Sequence, residues 1–391
     1  MTMLYVNHTI ISILLFIVML FLLIGCGGGG GDNNGAGENP PPISNNVNGG
    51  LTGRIFTSNG WVIEVQTGKS KRIPGIIWDS YCLDFDIIGN DIDCTDHDPN
   101  TKYGSSADYF AYPSIDGSKY IVAINDCVDG YTLDCIEIHN TKTGELIGDR
   151  YTLNKEVDIA KLSRDNEYYA FTFNRAIYVD PPTLLILNND LNEEITYTEM
   201  ADSNPLSFDW TTDNRIVYAY NGAIYITSPY STEGFKIFDV RDHPELSNIA
   251  GIGGSIRVSP DSTKIAFMLF EEHAVTADVP IKQTPWIINI DGSDLHRFAY
   301  APVSSNGYEL FGSLAWSPNG EYILITEGYS PAPLGTDGSS PGFLYAIPSD
   351  SRNIELNKDG KNGIIMLKTN YRNDSQELRY TFNGGGLWWT P

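Results

Sequence analysis

One short motif recurs along this chain, and a recurring motif dictates architecture before any single residue does. Two copies are clear: Ser255-Ile-Arg-Val-Ser-Pro-Asp-Ser-Thr-Lys-Ile-Ala-Phe267 and Ser313-Leu-Ala-Trp-Ser-Pro-Asn-Gly-Glu-Tyr-Ile-Leu-Ile325. Each reads as a β-strand, a tight turn and a second strand. Pro presets φ at the first turn position, Asp or Asn bonds nearby backbone, and Gly tolerates positive φ. Three weaker copies are Ala111-Tyr-Pro-Ser-Ile-Asp-Gly-Ser-Lys-Tyr-Ile-Val122, Ala160-Lys-Leu-Ser-Arg-Asp-Asn-Glu-Tyr-Tyr-Ala-Phe171 and Phe208-Asp-Trp-Thr-Thr-Asp-Asn-Arg-Ile-Val-Tyr218. Successive copies lie about 48 to 58 residues apart, a period that belongs to solenoids, propellers and arrays. From Leu51 onward short β-rich runs follow one another, and no 3.6-residue helical pattern interrupts them.

These residues resemble the WD40-like repeat of the TolB β-propeller family. Blades of that family open on a Phe/Trp-Ser-Pro-Asp-Gly turn followed by Lys-Ile-Ala-Phe. The resemblance covers nearly all of residues 51–391 and implies an all-β propeller. In such a blade an Ile-Tyr-Val-type third strand and a polar fourth strand come next. Ala223-Ile-Tyr-Ile226 and Trp286-Ile-Ile-Asn-Ile-Asp-Gly292 fit the third strand, and Leu295-His-Arg-Phe298 fits the fourth.

The two ends of the repeat region complement each other. Gly53-Arg-Ile-Phe56, Trp61-Val-Ile-Glu-Val65 and Lys71-Arg-Ile73 look like strands two, three and four of a blade with no first strand. Gly386-Leu-Trp-Trp-Thr-Pro391 looks like a first strand ending at the Ser-Pro position. A C-terminal strand inserted beside the N-terminal three would close the ring and protect its edges. The expectation is six blades. Seven is the alternative, because either Phe343-Leu-Tyr-Ala-Ile347 or Ile364-Ile-Met-Leu367 can be taken as the third strand of the last blade.

Ahead of the repeats, Ile10 to Ile24 is apolar except for Ser12. At about 15 residues the run is short of the roughly 20 that cross a bilayer as a helix, and it matches the apolar region of a secretory signal. It ends in Leu23-Ile24-Gly25-Cys26, which resembles the lipobox of bacterial lipoproteins. That resemblance implies a signal peptide over 1–25, cleavage before Cys26 and lipidation of the Cys26 thiol. The alternative is an uncleaved membrane anchor. Residues 26–50 are rich in Gly, Asn and Pro and read as a flexible tether, with a propeller domain over 51–391. The address is the bacterial cell envelope, in an outer membrane where there is one, with the membrane reached through a lipid anchor.

Four further cysteines are Cys82, Cys94, Cys127 and Cys135. An even number in an exported chain reads as disulfides, with three possible connectivities. Cys82–Cys94 and Cys127–Cys135 are favoured because each closes a short local loop. Zinc sites need closer pairs than these. Asp84, Asp86, Asp91, Asp93, Asp96 and Asp98 crowd one segment. Asp91, Asp93, Asp96 and Asp98 are candidate Ca²⁺ ligands, but the spacing is not that of an EF-hand, and a solvated acidic insertion is the plainer account. Segments 79–106, 270–284 and 328–342 exceed ordinary hairpin lengths, and the propeller pattern puts all three on one face.

Lys and Arg number 25 against 49 Asp and Glu, a formal charge of −24, which repels phosphate backbones and makes nucleic acid a poor partner. No Gly-x-Ser-x-Gly elbow or His-Glu-x-x-His helix is present, and His97, His139, His243, His273 and His296 are scattered among different repeats. No catalytic or cofactor-binding residue is singled out. The leading expectation is a monomeric, non-enzymatic scaffold that binds a protein of the envelope. The alternative is an exported lyase, lactonase or glycosidase working at the propeller axis.

Overall fold

The computed structural model of this chain describes residues 46–57, 60–74, 110–124, 135–153, 157–173, 184–188, 193–197, 207–228, 234–271, 283–301, 310–329, 340–357, 359–370, 378, 381–382 and 386–391. Six antiparallel sheets are arranged as the blades of a β-propeller, and a small parallel pairing joins Ala299–Tyr300 to Ile354–Glu355.

The first blade is composite. Its strands, from the axis outward, are Leu387–Thr390, Arg54–Thr57, Trp61–Glu64 and Lys69–Arg72. The second blade holds Phe110–Pro113, Lys119–Ile124, Cys135–Asn140 and Tyr151–Thr152. The third holds Val157–Leu162, Tyr168–Phe173, Leu184–Asn188 and Glu193–Tyr197. Phe208–Trp210, Ile216–Tyr220, Ala223–Thr227 and Phe235–Asp239 make the fourth. Ile249–Val258, Lys264–Glu271, Gln283–Asn289 and His296–Arg297 make the fifth. In the sixth, Leu310–Trp316, Tyr322–Tyr329 and Ser340–Pro348 are followed by Ile365–Met366 and Thr381–Phe382, which share the outer position. The ambiguity over the last blade is thereby resolved. Its third strand contains Phe343 to Ile347, the Ile365–Met366 pair is the fourth, and six blades result.

The core is distributed between blades. One apolar cluster joins Phe56 and Val62 of the first blade to Tyr120 and Val122 of the second. Others join Ile121 to Phe171, Ile186 to Trp210, Ile224 to Phe267 and Met268 to Ile325. The sixth cluster packs Leu324 and Leu344 against Ile55 and Trp389, so the series returns to the first blade. A sheet covered on both faces reads as a continuous apolar run, and Tyr120 to Ile124 are all buried.

The turn between strands one and two has the same construction in all five copies. Ser114, Ser163, Thr211, Ser259 and Ser317 each donate a hydroxyl hydrogen bond to the Asp or Asn two residues on. Each hydroxyl also accepts the backbone N–H that opens the second strand. The third residue after it, Gly117, Asn166, Asn214, Ser262 or Gly320, has φ between 59° and 73°. The weaker copies therefore keep the geometry while losing the Pro.

The ring has two fastenings where its ends meet. Trp389 lies opposite Ile55 and Trp388 opposite Phe56 in the composite sheet. Beyond the sheet, the Asn48 amide donates to the Val65 and Lys368 carbonyls, and its oxygen accepts the Lys368 N–H. Asn48 is 1% exposed. The last residues of the segment expected to be a tether thus pack on the propeller, and the folded unit starts before residue 51.

Candidate functional site

One position near the end of each blade's inner strand faces the axis. Counting back two from each turn Ser or Thr, and from Thr390 in the composite blade, these positions hold Tyr112, Lys161, Asp209, Arg257, Ala315 and Trp388. Five of the six, all but Tyr112, line one pocket of about 120 Å³, with Arg164, Trp316 and the turn residues Ile115, Pro260, Pro318 and Pro391 around it. The pocket lies at the end of the axis where the conserved turn geometry sits, and every blade contributes to its wall.

Its walls are apolar and aromatic, but its chemistry is cationic. The Lys161 ammonium lies 3.3 Å from an Asp209 carboxylate oxygen and also donates to the Phe208 carbonyl. The second Asp209 oxygen accepts the Val258 N–H at 2.8 Å. Arg164 donates to the carbonyls of Trp210, Pro260 and Val258. Arg257 donates to those of Leu314, Ile256 and, at 3.4 Å, Leu387. Its guanidinium also sits 5.7 Å from the centre of the Trp388 ring, which Tyr112 meets edge-on at 5.2 Å.

Burial and pairing oppose each other here. Burial pushes the Lys161 ammonium down to about 7, with Asp209 resisting and Arg257 adding repulsion. Burial likewise lowers both arginines, against the attraction of Asp209. For Asp209 burial acts upward, but Lys161, Arg257, Arg164 and the Val258 N–H together hold the carboxyl below its usual range. A charge withdrawn from water is costly unless paired. Three cations share one carboxylate.

The other hydrogen bonds of these residues bind blade to blade. Trp210 Nε1 donates to the Lys161 carbonyl and Trp316 Nε1 to the Arg257 carbonyl. Arg164 reaches two neighbouring blades, and Arg257 spans the seam towards Leu387. The same side chains therefore hold the ring together and give its mouth a positive charge.

The residues singled out in the sequence lie elsewhere. Asp91, Asp93, Asp96, Asp98, Cys26, Cys82, Cys94 and Cys127 fall outside the described residues, as do His97 and His273. Cys135 opens the third strand of the second blade, buried, with Sγ 3.7 Å from Thr152 Oγ1. His139 is on that same strand, with Nε2 2.8 Å from Glu137 and Nδ1 3.0 Å from the Gly144 carbonyl. His243 sits beside a short 3-10 turn, paired with Glu245, and His296 is on the outermost strand of the fifth blade. None of the three lines the axial pocket. Among the described residues no group of three or more His, Cys, Asp and Glu is placed to hold a metal, and no helix is long and apolar enough to cross a membrane. The strand ends flanking segments 79–106, 270–284 and 328–342 lie on the face opposite the turns, since strands alternate in direction.

Sequence reasoning did not reach Lys161, Arg164, Asp209 and Arg257. A signal was present: aligning the repeats at the turn Ser puts Lys, Asp and Arg in one column over three successive blades. Only the closed ring reveals that this column converges.

No family model matches the chain, and no curated protein does. Among solved structures, a candidate TolB from Agrobacterium tumefaciens is similar at 14% identity over 72% of this chain and 89% of that one, with a TM-score of 0.40. The GH74 enzyme of Niastella koreensis is similar at 10% identity, 78% and 46% coverage and a TM-score of 0.46. Hydrazine synthase of Kuenenia stuttgartiensis is similar at 12% identity, 61% and 62% coverage and a TM-score of 0.41. The chain spans under two thirds of the last two. The propeller assignment stands on the six sheets themselves.

Proposed function

We propose that this protein is a lipid-anchored propeller of the bacterial cell envelope that acts as a binding scaffold. The observation carrying this reading is how the axial charges are used. Lys161, Arg164, Asp209 and Arg257 are all tied into hydrogen bonds between blades, and the described histidines stand apart from them. Such a mouth suits holding a partner better than moving protons. Lipidation at Cys26 supplies the anchor, and disulfides Cys82–Cys94 and Cys127–Cys135 brace the loops of the face opposite the turns.

The test is crosslinked capture by the full chain from envelope extract. One protein retained in stoichiometric amount supports the scaffold, and a well-folded chain that retains none counts against it. Globomycin, which blocks lipoprotein signal cleavage, should make precursor accumulate, whereas unchanged processing would remove the lipid anchor from the proposal.

A second reading is favoured by one specific feature. A lysine whose pKa is pushed near neutrality, lining a cleft, is a candidate for covalent or acid–base chemistry. That reading makes the protein an exported lyase, lactonase or glycosidase. Turnover in glycan and lactone screens that vanishes with Lys161→Arg would establish it.

A further inference from the structure

The axial pocket has a charge imbalance that its own hydrogen bonds do not resolve. Lys161, Arg164 and Arg257 surround one carboxylate, Asp209, and only Lys161 is within ion-pair distance of it; Asp261 also attracts Arg164 but forms no direct ion pair with it, so the cations outnumber the carboxylates. This occurs in a chain whose formal charge is −24. A guanidinium carries five N–H donors. Arg164 and Arg257 each make three hydrogen bonds, all to neutral carbonyls, which leaves donors on both. Carbonyls position a guanidinium without neutralising it.

The rest of the wall is mostly apolar, with Ser114, Ser317 and Thr390 among its lining residues. Trp316, Trp388, Pro318, Pro260 and Pro391 line it, and Ile115 stands at its rim 43% exposed. The volume of about 120 Å³ approaches the roughly 150 Å³ of a cavity that accepts a benzene ring in another protein. Fixed cations beside an aromatic surface of that size select an anion with a small apolar body.

We propose that the pocket binds a small organic carboxylate, its anionic end directed at Arg164, Arg257 and Lys161 and its body against Trp316 and Trp388. This is a ligand site on the turn face, and it goes beyond the scaffold reading, which concerns a protein partner. The carboxylate has two possible sources, a free acid or the C-terminus of an inserted chain, and both present the same chemistry.

Lys161 makes binding depend on pH. It is faced by Asp209 from the fourth blade, by Arg257 from the fifth and by Arg164 from its own turn. A bound anion opposes the two arginines and draws a proton onto Lys161. Binding near pH 7.5 should therefore take up protons, and affinity should fall about tenfold from pH 6 to pH 8.5, as expected when a protonation is linked to binding.

The experiment is calorimetric titration of the full chain in detergent with benzoate, butyrate and benzamide, in buffers of different ionisation enthalpy. Saturable binding of either carboxylate is expected, at least tenfold tighter than benzamide and with proton uptake. Arg257→Gln should weaken it at least tenfold. If that variant does not fold, the comparison of benzoate with benzamide and the proton count decide alone. No carboxylate binding up to 10 mM, equal binding of benzamide, or binding without proton uptake would each overturn the site. A hexapeptide ending in Phe, as free acid and as amide, separates the sources. Free acid binding tighter than benzoate assigns the site to a chain terminus, and weaker binding assigns it to a small acid. Capture of an envelope protein is a separate measurement, so either proposal can fail without the other.

Discussion

Gly53 and Thr390 touch where the ring closes: a Cβ on Gly53 would collide with the Thr390 carbonyl oxygen and sit 3.0 Å from Trp389 Nε1. Gly53 has a φ of 97°, which an L side chain rarely adopts. The indole N–H of Trp389 in turn donates to the Thr52 carbonyl at 2.8 Å. The first residues of the propeller are shaped to receive its last strand. Gly53→Ala should cost at least ~2 kcal/mol through strain and contact together. Chemical denaturation would read it, and an unchanged midpoint would mean the seam is looser than described.

Removal of Leu387–Pro391 should abolish the cooperative melt, because it exposes Arg54–Thr57 and empties part of the cluster around Ile55 and Leu344. Trp389→Ala, a milder change at a residue 3% exposed, should cost about 3–5 kcal/mol. A wild-type melt after the deletion would show that the first blade stands without its inner strand.

Breaking the buried pair at the axis should be expensive. Asp209→Ala removes the carboxylate that Lys161, Arg164 and Arg257 share, a change of about 3–5 kcal/mol for pairs of this kind. Lys161 also sets a pH trend. Its folded pKa of about 7 lies below the ordinary 10.5, so the unfolded chain binds the extra proton between them, and stability gained from this group rises with pH across that window. Lys161→Met should remove that rise, measured as the melting temperature at pH 7 and pH 10.

His139 titrates in the opposite sense to Lys161, and its partner Glu137 in the same sense. Burial would raise Glu137, but His139 and Arg150 hold it low. Burial would lower His139, but Glu137 and the Gly144 carbonyl raise it. The Glu137 contribution is present above pH 4.5 and lost as pH falls through its depressed folded pKa. The His139 contribution is full below pH 6.5 and lost as pH climbs through the raised value. His139→Gln should therefore destabilise by about 1.5–3 kcal/mol at pH 5.5 and much less at pH 9. Equal effects at both pH values would mean that His139 is neutral throughout.

Cys135, at the mouth of a hairpin in the second blade, should be found joined to Cys127. Peptide mapping without reduction is expected to return Cys127–Cys135 and Cys82–Cys94, and any crossed pair would redraw the loops of that face.

The turns and the composite blade were legible because both are local chemistry written more than once. Ser259-Pro260-Asp261 announces its turn in three residues, and Leu387–Thr390 is recognisable as a first strand that lacks the rest of a blade. The axial pocket was not legible. Lys161, Asp209 and Arg257 occur in strands that look like ordinary half-polar strands, and nothing within any one repeat says that its neighbours carry charge at the same height. Their meeting is a property of ring closure, and periodicity registers a repeat without registering what differs between repeats.

Arg54 pairs with Thr390 across almost the whole length of the chain. Contacts so distant in sequence are slow to form, because a large loop must close before any of them is made. Until that happens the strand Arg54–Thr57 presents a bare edge, open to pairing with another molecule. Nascent chains of this protein should therefore pass through a late, vulnerable stage in which five blades have formed and the first still waits for its inner strand. Its yield in the cell would then depend on the speed of that one docking step, more than on the stability of the finished ring.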